Sequence, residues 1–154
     1  MGLFSWLFGE TKSKPHLKKS PRVKMPTTPE NVNFIRGDGS FSFEVVGESH
    51  YQSALQWICG PRKEDGENKQ EIALLIFEDS NPHDNQAVCV KIRGKRVGYL
   101  SRDDARTFRE MVRQANIPDN GLDLACYAVI RGGWDRGEED EGLYGVWLDI
   151  PVED

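Results

Sequence analysis

Asn81-Pro-His-Asp-Asn-Gln-Ala-Val-Cys-Val-Lys-Ile-Arg-Gly-Lys-Arg-Val-Gly-Tyr-Leu100 reads as a polar loop running into a β-hairpin. Ala87 to Ile92 is a short, apolar, β-branched run of the kind that forms a buried strand. Arg93-Gly94-Lys95 then turns the chain, and Arg96 to Leu100 returns beside it. Ser101-Arg-Asp-Asp104 follows at once. Its serine suits a helix N-cap, and its two carboxylates fall in the first turn, where the helix dipole favours them. A helix to about Ala115 is predicted, ahead of Pro118.

Working outward, Glu71-Ile-Ala-Leu-Leu-Ile-Phe77 is another buried-strand run. Before it, Ser49 and Gln52 have capping-box spacing, and Tyr51, Leu55 and Ile58 recur at helical intervals until Gly60-Pro61. That predicts a helix over about 50–59. Phe41-Ser-Phe-Glu-Val-Val46 reads as the first strand, and the segments 124–130 and 143–150 as the last two. The order β-α-β-β-β-α-β-β has too few helices for a parallel crossover sheet. It predicts a mainly β (α+β) fold, a small OB-like antiparallel β-barrel with two flanking helices.

The predicted domain spans 41–150, preceded by a basic, Pro-containing segment 1–40 with a short aromatic start. Within 1–29, six Lys and Arg stand against Glu10 alone, a net +5. The whole chain carries −5, so the remainder carries −10. Met1-Gly-Leu-Phe-Ser-Trp-Leu-Phe-Gly9 is too brief for a signal peptide and has Trp6 where myristoylation wants Ser or Thr. With the lysines that follow, residues 1–24 suit a weak contact with an anionic membrane; the favoured reading is an end that docks on the body of the protein, since so short a segment binds membranes only marginally. No run approaches the length of about 18 apolar residues that spans a membrane.

Cys59, Cys89 and Cys126 are odd in number, far apart and set among apolar neighbours. They read as reduced, buried thiols of a cytoplasmic protein. No C-x-x-C or H-x-x-x-H spacing points to zinc, and no cofactor is expected. The phosphate-binding G-x-x-x-x-G-K-[ST], H-E-x-x-H and G-x-S-x-G patterns do not occur, so no catalytic residue is assigned and a non-enzymatic module is expected.

Asn81 to Val90, together with Val97-Gly-Tyr-Leu100, Asp104-Ala105 and the upstream Val45-Val-Gly-Glu-Ser-His-Tyr51, resembles the HIRAN domain. In that family a strand leads to N-P-Y-D-x-N-A-[IV]-x-V, then a hairpin, V-G-[YH]-[IL] and a helix. The resemblance covers about two-thirds of the chain and leaves out 1–40. HIRAN domains occur in repair-associated helicases and alone in bacterial proteins. The resemblance implies an OB-like barrel that captures single-stranded DNA or a DNA 3′ end. It implies that Asp84 accepts a hydrogen bond from the terminal hydroxyl, that His50, Tyr51 and His83 stack on bases, and that Tyr99 and Arg102 lie beside the strand. The chain departs from the family pattern at His83 (Tyr), Gln86 (Asn) and Ser49 (Arg in an end-binding member).

The residues themselves leave alternatives open. An end-binding site needs planar side chains, cations and one hydroxyl acceptor. Asp84 has the required chemistry, but Asn81-Pro-His-Asp84 is also an Asx-type turn in which Asn81 and Asp84 bond local amides. Arg102, Arg106, Arg109 and Arg113 share one helix face, either a phosphate track or a solvated surface. Ala105, Phe108, Val112 and Ala115 share the face expected to pack. Trp134, beside Arg131 and Arg136, can stack a base or anchor the barrel. The expected function is a non-catalytic nucleic-acid-binding module; the alternative is a protein-interaction or membrane-adjacent adaptor.

Overall fold

In the computed structural model, which describes Pro26 and residues 29–151, seven strands form one curled sheet. The strands are β1 (Val32–Ile35), β2 (Phe43–Glu44), β3 (Glu67–Glu78), β4 (Ala87–Ile92), β5 (Lys95–Tyr99), β6 (Asp123–Gly132) and β7 (Tyr144–Leu148). Helix α1 (Gln52–Cys59) lies between β2 and β3, and α2 (Arg102–Gln114) between β5 and β6. The sheet order is β2-β7-β6-β3-β4-β5, antiparallel throughout, with β1 added in parallel beside the first half of β6. This is a mainly β, small OB-like barrel with two flanking helices.

The two ends of the sheet meet just after β2. Val45 N donates to Val146 O of β7 at 2.9 Å, and the next residue, Val46, exchanges two backbone bonds with Tyr99 of β5 at 2.8 and 2.9 Å. One residue thus carries the chain from pairing with β7 to pairing with β5. Gly98 permits the approach: its φ is +153°, and a Cβ there would collide with the Val45 side chain and lie 2.6 Å from Val46 O. Inside the barrel, alternate residues of β3, β4, β6 and β7 meet, among them Leu75, Val88, Val90, Ile130, Tyr144 and Leu148. Leu55 and Ile58 of α1, with Ala105 and Phe108 of α2, complete this core. Burying Phe108 alone contributes about 2–3 kcal/mol of transfer free energy.

The structure corrects the sequence reading in four places. Strand β1 lies inside the stretch read as linker. Val32-Asn-Phe-Ile35 is four residues between Pro29 and Gly37, and its partner residues 123–126 are far away in sequence, so no local pattern announces it. The first strand is shorter than 41–46 because the chain leaves β7 for β5 at Val45–Val46. The capping box at Ser49 does not form: a 3-10 turn (Glu48–His50) precedes α1, whose N-cap Tyr51 makes no side-chain cap bond. Gln52 instead spans to β7, donating to Tyr144 O at 3.0 Å and accepting from Tyr144 N at 2.8 Å. Finally, Ala115 is an exposed C-cap and takes no part in the packed face of α2.

The second helix begins as its sequence predicts, with Ser101 Oγ accepting from Asp104 N at 3.1 Å. All three cysteines are free; Cys89 and Cys126 are buried and Cys59 is half-buried. Burial pushes the Cys126 thiol up to about 12 and the Cys59 thiol up to about 11. The membrane-contact reading of residues 1–24 lies outside the described residues. Among the described residues no helix is long and apolar enough to cross a membrane.

Candidate nucleic-acid interface

The β3–β4 loop, residues 79–86, is folded by its own side chains. Asn81 Oδ1 accepts from His83 N at 2.8 Å and from Asp84 N at 3.2 Å, and Asp84 Oδ1 accepts from Gln86 N at 3.0 Å. This is the Asx-type turn read from the sequence. It uses one carboxylate oxygen of Asp84. The other, Oδ2, has no hydrogen-bond partner among the described residues, and Asp84 is only half-buried. The turn and the hydroxyl-accepting reading are therefore compatible. His83 is exposed at the loop tip.

One side of the loop is held by α2. Arg109 is the main staple: it donates to Gln86 O at 2.8 Å, Ala87 O at 3.0 Å and Asp79 Oδ1 at 2.8 Å, and its guanidinium lies 4.2 Å from the Phe77 ring centre. Arg106 donates to Gln86 Oε1 at 3.0 Å, and Arg113 pairs with Glu110. Arg102 reaches the carbonyl of His83 at 3.5 Å and is exposed. Of the four arginines on one face, Arg109 is structural. Arg102 and Arg106 keep their charge without a carboxylate partner among the described residues.

The other side is a polar cluster on the outer face of β3–β4–β5. Glu78 accepts from Asn81 Nδ2 (3.0 Å), Tyr99 OH (3.1 Å) and Arg96 Nη2 (3.0 Å). Burial raises the Glu78 pKa more than any single partner lowers it, but the three partners together hold it below its ordinary value. Tyr99 is pushed up to about 12, by burial first and then by its bond to Glu78. Arg96 also donates to Cys89 Sγ at 3.3 Å. It is held more firmly in its charged form, first by that sulfur and further by the Tyr51 hydroxyl.

Contacts thus link Arg96, Tyr99, Glu78, Asn81, the His83–Asp84 tip and Arg102 in a chain across one rim of the barrel. His50 is exposed on the 3-10 turn next to Tyr51. Trp134 does not belong to this group. It sits in the β6–β7 loop, bridged to Lys63 near the start of β3, whereas Glu78 is at its end. That is roughly 36 Å along the strand at about 3.3 Å per residue. Its indole donates to Asp140 Oδ1 of the same loop at 3.0 Å, beneath the Arg136 guanidinium.

Sequence reading did not single out Glu78 and Arg96. Glu78 follows an apolar run with nothing to mark it, and its importance comes from three partners on other segments. The same long-range pairing alters the charge of 91–113. Its eight cations face three acids within the segment, yet Glu71, Glu78 and Asp79 of β3 and its end take Arg93, Arg96 and Arg109. The local positive field is correspondingly smaller than the segment count. Among the described residues no group of three His, Cys, Asp or Glu gathers to hold a metal. No family model matches the chain, and neither a curated protein nor a solved structure matches it.

Proposed function

We propose that this protein is a non-catalytic, cytoplasmic nucleic-acid-binding module of HIRAN type that takes single-stranded DNA or a DNA 3′ end at the rim built by residues 79–86. In this reading Tyr51, His83 and His50 stack on terminal bases, Arg102 and Arg106 meet phosphates, Tyr99 borders the strand and Asp84 accepts from the terminal hydroxyl. The observation that carries it is the state of Asp84. Among the described residues one of its oxygens is fixed by Gln86 N, the other has no partner, and Arg102, which has no carboxylate partner there, donates to the carbonyl of the preceding residue. A carboxylate beside DNA is unfavourable except at a chain end, where a hydroxyl replaces the next phosphate.

The test is fluorescence anisotropy with 3′-hydroxyl and 3′-phosphate oligonucleotides side by side at low salt. Tighter binding of the 3′-hydroxyl form, abolished in Asp84→Ala, supports the reading. Equal binding of both forms removes end recognition, and no binding of either removes the function. A protein-interaction module is the second reading, favoured by Trp57 of α1, which is 62% exposed with the Lys95 ammonium 4.5 Å from its ring. Retention of a partner by the native chain and its absence in Trp57→Ala is the result expected there.

A further inference from the structure

The rim continues onto the outer face of the sheet. Residues of β4 alternate, with Val88, Val90 and Ile92 inside, so Cys89 and Lys91 face outward. Cross-strand pairing sets Tyr99, Cys89 and Ile76 in one row, which joins this face to the Tyr99–Glu78 cluster. The next row runs Arg96, Lys91, Leu74, Ala125, Phe34 across five strands, from β5 to β1. Four strand spacings make that row about 19 Å wide. Farther along, Trp147 stands beside Val129.

Two kinds of side chain recur on this face. Phe34 and Trp147 are half-buried, each with a guanidinium over its ring: Arg36 at 5.4 Å from Phe34 and Arg131 at 5.5 Å from Trp147. Arg36 and Arg131 are exposed. Among the described residues Arg36, Arg131 and Lys91 have no carboxylate partner, unlike Arg93 in the β4–β5 turn, Arg96 at the rim and Arg109 of α2. Aromatic surfaces interleaved with unneutralised cations are the chemistry by which a groove tracks a single strand without reading its sequence.

We propose that a single strand held by its end at the 79–86 loop continues across this outer face toward β1. Lys91, Arg36 and Arg131 meet its phosphates, and Phe34 and Trp147 stack its bases. The inference rests on the rim being the end-binding site. Binding is measured by anisotropy on the full chain with a trinucleotide and a dodecanucleotide of thymidine, each with a 3′-hydroxyl. Both exposed arginines are reversed together, Arg36→Glu and Arg131→Glu, with thermal unfolding as a control of the fold. The double variant is expected to weaken the dodecanucleotide about tenfold. Its salt dependence should flatten by about 0.7 in slope for each phosphate that is no longer neutralised. The trinucleotide is expected to bind as before, whereas Arg102→Ala weakens both. An unchanged dodecanucleotide in the folded double variant overturns the outer-face path and leaves the rim intact. Failure of Arg102→Ala to weaken either oligonucleotide overturns the rim.

Discussion

The β3–β4 loop (79–86) and the β6–β7 loop (133–143) both join neighbouring antiparallel strands, and both are rich in turn residues and charge. They differ in which neighbour holds them. The second loop closes on itself: Trp134 bonds Asp140, Gly142 N donates to Trp134 O, and Arg136 N donates to Asp140 O. Arg62 and Arg136 tie it to the neighbouring 60s turn through Gly142 O and Glu64 O. The first loop is folded by Asn81 and Asp84 and is then held from outside by α2, through Arg109 and Arg106 to Gln86 and Arg102 to the His83 carbonyl. In the second loop Trp134 and Arg136 are taken up by bonds to Asp140 and to the 60s turn, whereas in the first His83 is exposed at the tip. Composition alone does not separate the two, because the difference lies in which element supplies the donors.

The largest expected effect comes from breaking the self-contained loop at its root. Gly133 has φ +69°, and a Cβ there would overlap the Tyr144 ring, itself part of the core. Gly133→Ala is expected to cost about 3 kcal/mol, the combined size of a left-handed strain and an overpacked ring. Urea unfolding measures the loss, and oligonucleotide binding by the folded fraction should stay at the wild-type level. Next in size is the external staple. Arg109 is 17% exposed, donates three bonds and covers Phe77. Arg109→Leu keeps the apolar cover but leaves two carbonyls and Asp79 without their donor, so a loss of about 2 kcal/mol is expected. Proteolytic cleavage within 79–86 should rise with it, while the 133–143 loop keeps its resistance. Equal sensitivity of both loops would show that they are not independently held.

This contrast also marks what was legible beforehand. The hairpin at Ala87–Tyr99 and the Ser101 N-cap rest on local chemistry, and the structure has both where the sequence put them. The Asx turn at Asn81 is equally local. Strand β1, the Gln52 clamp on β7 and the Glu78 cluster depend on partners brought close only by barrel closure, so short-range patterns carry no trace of them. The arginine face of α2 lay between these cases. Its periodicity placed the four side chains together, but only the loop packed against it shows that Arg109 makes three bonds there and Arg102 a single long one.

A smaller effect separates ligand binding from fold. Arg102→Ala should change stability by less than about 0.5 kcal/mol, because its one bond is a long one at an exposed site. It should nevertheless weaken oligonucleotide binding by about 1 kcal/mol, roughly fivefold, as expected when one charge-assisted bond to phosphate is removed. Trp134→Phe removes the indole donor to Asp140 and should give the converse, a loss near 1 kcal/mol in stability with unchanged binding. If Trp134→Phe weakens binding as much as Arg102→Ala does, the division between the loops is wrong.

The smallest effect concerns acid. Glu78 anchors the first loop through Asn81, whose Oδ1 in turn holds the His83 and Asp84 amides. Its folded pKa is depressed: burial raises it, but the bonds from Asn81 and Tyr99 and the charge of Arg96 lower it further. A carboxyl depressed in the folded state stabilises fully above its unfolded pKa of about 4.3, and that contribution disappears as pH falls through the folded value. Wild-type stability should therefore fall faster below about pH 4 than that of Glu78→Gln, which has no carboxyl to protonate. Other carboxylates titrate in both proteins, so the difference between the two curves isolates Glu78. Hydrogen exchange at the His83 and Asp84 amides gives a local readout, because the bond from Asn81 to Glu78 loses its charge assistance when Glu78 is protonated. Faster exchange at those two amides in wild-type, with the 133–143 amides unchanged, is the expected pattern. Parallel unfolding curves for the two proteins would remove Glu78 as the anchor and leave Arg109 as the main hold on the loop.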